Sequence, residues 1–225
     1  STARLSGRPD WQRLAIAHAL VNPLTIISGG PGTGKTTIVT TLIAALAMRE
    51  PPPRIALTAP TGKAAARMEA ALGGMMETID PVLASRLPKR ATTIHTLLGA
   101  RPESGEFRHH RDNPLSCDVL IVDEASMLDL SLAARLFDAL PTDCRIVMLG
   151  DRDQLSAVEA GAVFAELAGE APVDDSPESP PEREGDSAFS ASTAPGARRP
   201  GLPGCVVRLR ENYRFDAASS IGKMA

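Results

Sequence analysis

The sequence predicts an α/β fold with a central, mainly parallel sheet flanked by helices. Three observations predict it. Short, continuous apolar runs alternate with helical patterns along the 225 residues, as expected of parallel strands covered on both faces. One of these runs leads directly into Gly29-Gly30-Pro31-Gly32-Thr33-Gly34-Lys35-Thr36, which fits G-x-x-x-x-G-K-[ST] at every fixed position. Another, Val119-Leu120-Ile121-Val122, ends in the acid pair Asp123-Glu124.

In chain order, Asp10–Val21 reads as a helix and Leu24–Ser28 as a buried strand, with a helix from Thr36 to Met48 after the glycine-rich loop. Arg54–Thr58 is the next strand, followed by helices over Gly62–Leu72 and Thr93–Leu98. Val119–Val122 is a strand, Leu130–Leu140 a helix, Arg145–Leu149 a strand and Ala160–Leu167 a helix. The segment from Gly169 to Gly204 breaks the pattern: seven Pro and five Gly make up a third of its 36 residues. It reads as a low-complexity, mobile insertion or tether. An apolar strand then resumes at Val206–Leu209. The expected organisation is one α/β domain over 1–168, the insertion over 169–204, and a return strand and helix of the same domain over 205–225. The chain starts at Ser1 and stops at Ala225 inside a predicted helix, so a piece of a longer protein is expected.

Composition narrows the class. The chain is 43% hydrophobic but only 3% aromatic, so its core is built from Ala, Leu, Val and Ile. A net charge of −3 and a pI of about 5.8 give no global case for nucleic-acid binding, and any such contact needs a local patch. Cys117, Cys144 and Cys205 lie far apart with no C-x-x-C pair, which indicates buried thiols in a reducing cytosol. No run approaches the ~20 apolar residues of a membrane span, and no signal-peptide pattern opens the chain.

The chemistry follows from the residue types. Glycines let the loop backbone approach a polyphosphate and turn N–H groups toward it, and the helix behind adds free donors and partial positive charge. Lys35 would reach the β- and γ-phosphates, and the Thr36 hydroxyl would sit on Mg²⁺. Asp123 would hold Mg²⁺ opposite Thr36, and Glu124 would polarise the attacking water. The acid pair would otherwise be a helix cap. A third strand ends in Leu149-Gly150-Asp151-Arg152-Asp153-Gln154-Leu155. An amide there could sense the γ-phosphate, although an ordinary turn fits the same residues. His109-His110 has no third ligand at a useful spacing, so a metal site there is rejected.

Six ordered motifs together resemble superfamily 1 DNA helicases. Gly29–Thr36 looks like motif I, Ala59–Ala65 like motif Ia and Thr92–Gly99 like the short motif after it. Asp123–Ser126 looks like motif II, Gly150–Leu155 like motif III and Glu211-Asn212-Tyr213-Arg214-Phe215 like motif IV. Within the superfamily, the wording of Ala59–Arg67, Arg108-His109-His110 and Leu149–Val163 is similar to the exodeoxyribonuclease V alpha-subunit family. The match covers the chain apart from Gly169–Gly204.

The resemblance implies a RecA-like motor using ATP and Mg²⁺ to move 5′ to 3′ on single-stranded DNA in the bacterial cytoplasm. It also implies a heterotrimeric break-repair and recombination complex with a helicase-nuclease subunit and a scaffold subunit. Residue by residue, it makes Gln12 the adenine-recognising glutamine and assigns nucleotide contacts to Gly29, Gly30, Pro31, Gly32, Thr33, Gly34, Lys35, Thr36 and Thr37. Gln154 becomes the γ-phosphate sensor, Arg214 the motif IV arginine at the γ-phosphate, and Tyr213 a neighbour of the base. Pro60, Thr61, Lys63, Thr93 and His95 fall in motifs that line the DNA groove.

Blander readings stand beside these. Thr61 and Lys63 also suit a capped, solvated helix start, His95 a satisfied core histidine, Arg214 a surface arginine, and Trp11 core packing. The second RecA-like domain, with motifs V and VI, is expected outside this chain, so the fragment alone should bind nucleotide weakly and turn it over slowly. A stand-alone helicase of the same family, a P-loop small-molecule kinase and a non-catalytic nucleotide-binding module are the alternatives. The Pro60–Ala66 order argues against the kinase and Glu124 against the inert module.

Overall fold

The structure, a computed structural model, describes residues 10–101, 103–152, 162–169 and 205–209. The elements run α1 (Trp11–Val21), β1 (Leu24–Ser28), α2 (Lys35–Ala47), β2 (Ile55–Ala59), α3 (Gly62–Met76), α4 (Pro81–Ser85), β3 (Thr92–Thr93) and α5 (Ile94–Leu98). A small hairpin follows, β4 (Ala100–Arg101) and β5 (Glu106–Phe107). Then come β6 (Val119–Val122), a 3₁₀ turn at Ala125–Met127, α6 (Leu130–Asp138), β7 (Arg145–Gly150), α7 (Ala162–Ala168) and β8 (Val206–Arg208).

Six strands form one parallel sheet in the order β3-β2-β6-β7-β1-β8. This is the RecA-like arrangement, with β7 interposed between the strand that leads into the glycine-rich loop and the strand that ends in the acid pair. The apolar runs are continuous because neighbours along each strand serve opposite faces. Ile27, Ile121, Val147 and Leu149 face a core closed by α1, α2 and α3. Ile26, Leu120, Val122 and Met148 face a core closed by α5, α6 and α7.

Side-chain caps start most helices where the sequence changes period. Asp10 accepts from the Gln12 and Arg13 N–H groups, Thr61 from Ala64, Asp80 from Val82, Thr93 from Thr96 and Asp129 from Leu132. At the far end of α1, Arg145 Nη1 donates to the Ala19 and Leu20 carbonyls and Arg49 Nη2 to that of Leu20, meeting the negative helix end with cations. Arg54 and Asp118 clamp the starts of β2 and β6, with Nη2···Oδ1 at 2.6 Å and the Arg54 N–H donating to Oδ2 at 2.7 Å. Beyond α7, the Gly169 carbonyl accepts from Arg152 Nη1 at 2.7 Å and Arg208 Nη2 at 2.6 Å.

Several expectations need correction. The helix expected to stop at Leu72 continues through Gly73-Gly74 to Met76, because Met75 and Met76 pack on the first core. Thr93 caps its helix rather than belonging to it and also forms the two-residue β3. The cysteines are distant only in sequence. Cys117 and Cys144 precede adjacent strands and lie buried with their Sγ atoms 3.8 Å apart. Hydrogen bonding to Cys144 and burial push the Cys117 thiol well above its ordinary range. All three cysteines are free thiols.

Candidate active site

The parallel ladder brings the loop and the acids to one rim. The Gly29 N–H donates to the Gly150 carbonyl at 3.1 Å, and the Asp123 N–H to the Thr58 carbonyl at 2.9 Å, so both segments leave the sheet in register. Between them opens a cleft of about 650 Å³, lined by loop residues and the first turns of α2 together with Arg67, Asp123, Glu124, Ser126, Gly150 and Asp151.

The loop is built around its own backbone. Gly34 takes a left-handed φ of 85° and starts α2 with no side-chain cap, unlike the helices above. The first N–H groups of α2, which like those of any helix have no intrahelical acceptor, therefore have no side-chain cap either. Thr33 Oγ1 donates to the Gly30 carbonyl at 2.9 Å, and Gln12 Nε2 donates to the Thr33 carbonyl at 3.1 Å. Gln12 thus reaches the loop from α1, while Trp11 beside it packs against the first core. Lys35 Nζ bends back over the loop and donates to the carbonyls of Gly29 and Gly30.

Charge is concentrated opposite the loop. Burial holds the Lys35 ammonium below its ordinary value, against the pull of Asp151, Asp123 and Glu124. Burial also pushes the Asp123 carboxyl up, while the Glu124 N–H, donating to Oδ1 at 2.9 Å, pulls it back. Glu124 adopts a left-handed φ of 50°, and its Oε1 accepts from Arg67 Nη1 at 3.3 Å. Among the described residues no three His, Cys, Asp or Glu side chains converge on a metal position, but the Asp123 carboxylate and the Thr36 hydroxyl are hard oxygen donors of the kind a small, largely hydrated divalent cation takes. Thr36 is exposed and Asp123 half-buried, and both line the cleft. Those two residues would hold such an ion.

The structure therefore brings Lys35, Thr36, Thr37, Asp123 and Glu124 into one cleft, with Gln12 bracing the loop behind it. Sequence reasoning did not single out Arg67, Ser126 or Asp151 as site residues. Arg67 comes from α3, which only the sheet order sets beside the acids. Asp151 is buried at the end of β7, and its N–H donates to Ser126 Oγ at 3.4 Å. Gln154, Tyr213 and Arg214 lie outside the described residues.

The expected DNA-facing residues share a second stretch of the same rim. β2 and β3 are neighbours, Ala59 opposite Thr93, so Pro60, Thr61 and Lys63 leave one strand beside Thr93 and His95 leaving the other. Thr61 and Thr93 serve as helix caps here, and Lys63 is exposed. His95 is not a core histidine, because it is exposed and its ring lies 6.0 Å from that of Phe107.

Comparison with known proteins adds the following. Residues 12–160 match the family model described as an AAA domain. The chain is 41% identical over 231 residues to the RecBCD enzyme subunit RecD of Haemophilus influenzae, covering 97% of this chain and 35% of that protein. It is 52% identical over 165 residues to the RecBCD enzyme subunit RecD of Mycolicibacterium smegmatis, covering 70% of this chain and 30% of that one. It is 40% identical over 169 residues to the ATP-dependent RecD2 DNA helicase of Deinococcus radiodurans, covering 74% and 21%. The chain thus spans about a third or less of the length of these relatives.

Proposed function

The chain belongs to the AAA-domain family, and from that premise we propose that it is the nucleotide-binding half of an ATP-dependent DNA helicase motor of the RecD type. The observation that carries the proposal is the single cleft in which a glycine-rich loop and Lys35 face Asp123 and Glu124. Lys35 and the first N–H groups of α2 bind the phosphates. Gln12 reads the adenine in this proposal, a role supported by the motif resemblance and by its amide reaching the loop at the Thr33 carbonyl. Thr36 and Asp123 would hold Mg²⁺, and the ion would supply positive charge against the phosphates. Glu124 takes a proton from the attacking water, so the nucleophile strengthens as it meets the γ-phosphorus. Most of the acceleration comes from holding these groups in place.

The remaining assignments belong to the same proposal. Gln154 and Arg214 respond to the γ-phosphate and Tyr213 flanks the base. Pro60, Thr61, Lys63, Thr93 and His95 line half of a single-stranded DNA groove, and a second RecA-like domain supplies the other half. Residues 1–168 and 205–225 form one motor domain interrupted by 169–204. The RecD relatives are named as subunits of a RecBCD enzyme, which supports membership of such a complex; helicase-nuclease and scaffold partners, the bacterial cytoplasm and movement 5′ to 3′ are inferred from the motif resemblance alone. Among the described residues, no helix is long and apolar enough to cross a membrane. A second reading, a stand-alone helicase, is favoured by the likeness to the Deinococcus RecD2 protein. Co-purification of two partner subunits from the native host would decide between them.

The test is ATP hydrolysis by the full-length protein with and without single-stranded DNA. Stimulation by the strand is expected. Lys35→Ala should abolish turnover, and Glu124→Gln should retain nucleotide binding while stopping phosphate release. Wild-type turnover in Lys35→Ala would refute the assignment of the loop.

A further inference from the structure

We propose that Arg67 is a positioning residue for Glu124, holding its carboxylate aimed into the cleft from a helix that carries none of the motif I or motif II groups. This rests on the reading of Glu124 as the group that activates water.

The helix explains how Arg67 gets there. On α3, Ala64, Ala65, Met68 and Leu72 are buried against the first core. Their packing turns the stripe of Arg67 and Ala71, one turn apart, toward the cleft that both residues line. Arg67 Nη1 then meets Glu124 Oε1 at 3.3 Å.

Glu124 needs such a partner. Among the described residues it is the one non-glycine with a left-handed φ, a conformation that persists only where its surroundings enforce it. Its backbone end is fixed by the N–H bond to Asp123 Oδ1. Its carboxylate end is fixed by Arg67. Lys35, the other cation nearby, is already committed to the loop carbonyls. A glutamate side chain held only at its backbone would sample several rotamers, and water activation needs one of them.

The pair is not a stability device. The Arg67 side chain is 65% exposed, and an ion pair that open to solvent contributes little to folding. Removing Arg67 should therefore change chemistry and leave the fold intact.

The experiment measures steady-state ATP hydrolysis by the full-length protein at saturating single-stranded DNA, with a parallel fluorescent-ATP titration and a melting curve. Arg67→Ala should lower kcat by about 10- to 100-fold, the order associated with a misplaced reacting group. KM and nucleotide affinity should stay within about twofold of wild type. Arg67→Lys should recover part of kcat, since it keeps the charge but not the planar fork. Should Arg67→Ala melt well below wild type, Arg67→Lys and Arg67→Gln carry the comparison. The proposal is overturned if kcat is unchanged, or if KM rises with kcat intact, which would make Arg67 a phosphate ligand. A wild-type protein that binds nucleotide without hydrolysing it overturns both this inference and the reading of Glu124. An active wild type with an indifferent Arg67→Ala overturns this inference alone.

Discussion

Gly34 answers two demands at once. Its φ of 85° is left-handed, and a Cβ there would lie 2.1 Å from Gln12 Nε2. Gly34→Ala should therefore cost about 1–2 kcal/mol of stability from backbone strain alone and displace Gln12 from the loop. Nucleotide affinity should fall at least tenfold, and an alanine variant that binds a fluorescent ATP analogue as wild type does would contradict the account. At this scale the sequence was informative where spacing encodes chemistry. Lys35, Thr36, Asp123 and Glu124 could be named because a loop of fixed length, or a strand end, sets each one. Arg67 and Asp151 could not, since their nearness to Glu124 and Lys35 exists only after α3 and β7 have packed. Gln12 was legible through resemblance alone, because nothing in its own segment says that α1 will meet the loop.

The strands illustrate what an element can and cannot announce. β1, β6 and β7 read directly as apolar runs because both faces are covered. β3, β4 and β5 have two residues each, too few for any periodicity, and they form because neighbours present an edge or a turn. What aligns β2 with β6 is a polar clamp outside the apolar pattern. The Arg54 guanidinium and N–H hold the Asp118 carboxyl down to about 2, from an ordinary 3.8. A depressed carboxylate stabilises the fold fully above its unfolded value and loses that contribution as pH falls toward the folded one. Asp118→Asn should thus destabilise by about 0.2–1 kcal/mol at neutral pH, a small effect because the pair is exposed. The gap to wild type should close between about pH 4 and pH 2. Urea denaturation at stepped pH measures it, and a gap that widened on acidification would sink the assignment.

Across the whole molecule, the sheet separates two cores made largely of aliphatic side chains, so the one fully buried phenylalanine among the described residues matters. Phe164 is 0% exposed and lies under the end of β7, where a Cβ on Gly150 would come within 2.8 Å of its ring. The ring therefore supports the strand end from which Asp151 enters the cleft. Phe164→Ala should cost about 3–5 kcal/mol, read by denaturant unfolding, and should weaken nucleotide binding as the β7 terminus loosens. A loss below about 1 kcal/mol would show that the second core closes without it. The fold class was legible at this scale because the alternation of runs and the loop signature agree with each other. The strand order was not, since no local pattern states that β7 will insert between β1 and β6.

Arg152, Arg208 and the Gly169 carbonyl have a consequence for how this protein can be altered. The Gly169 carbonyl, at the last described residue before 170–204, is tied by two guanidinium groups to Arg152 beyond β7 and to Arg208 in β8. Closing a longer span between fixed ends costs only slowly growing entropy. Trimming or lengthening residues 170–204, or exchanging them for a fluorescent reporter, while keeping β8, which pairs with β1 and buries Val207 in the first core, should place little burden on the sheet and makes that span a natural port for a label.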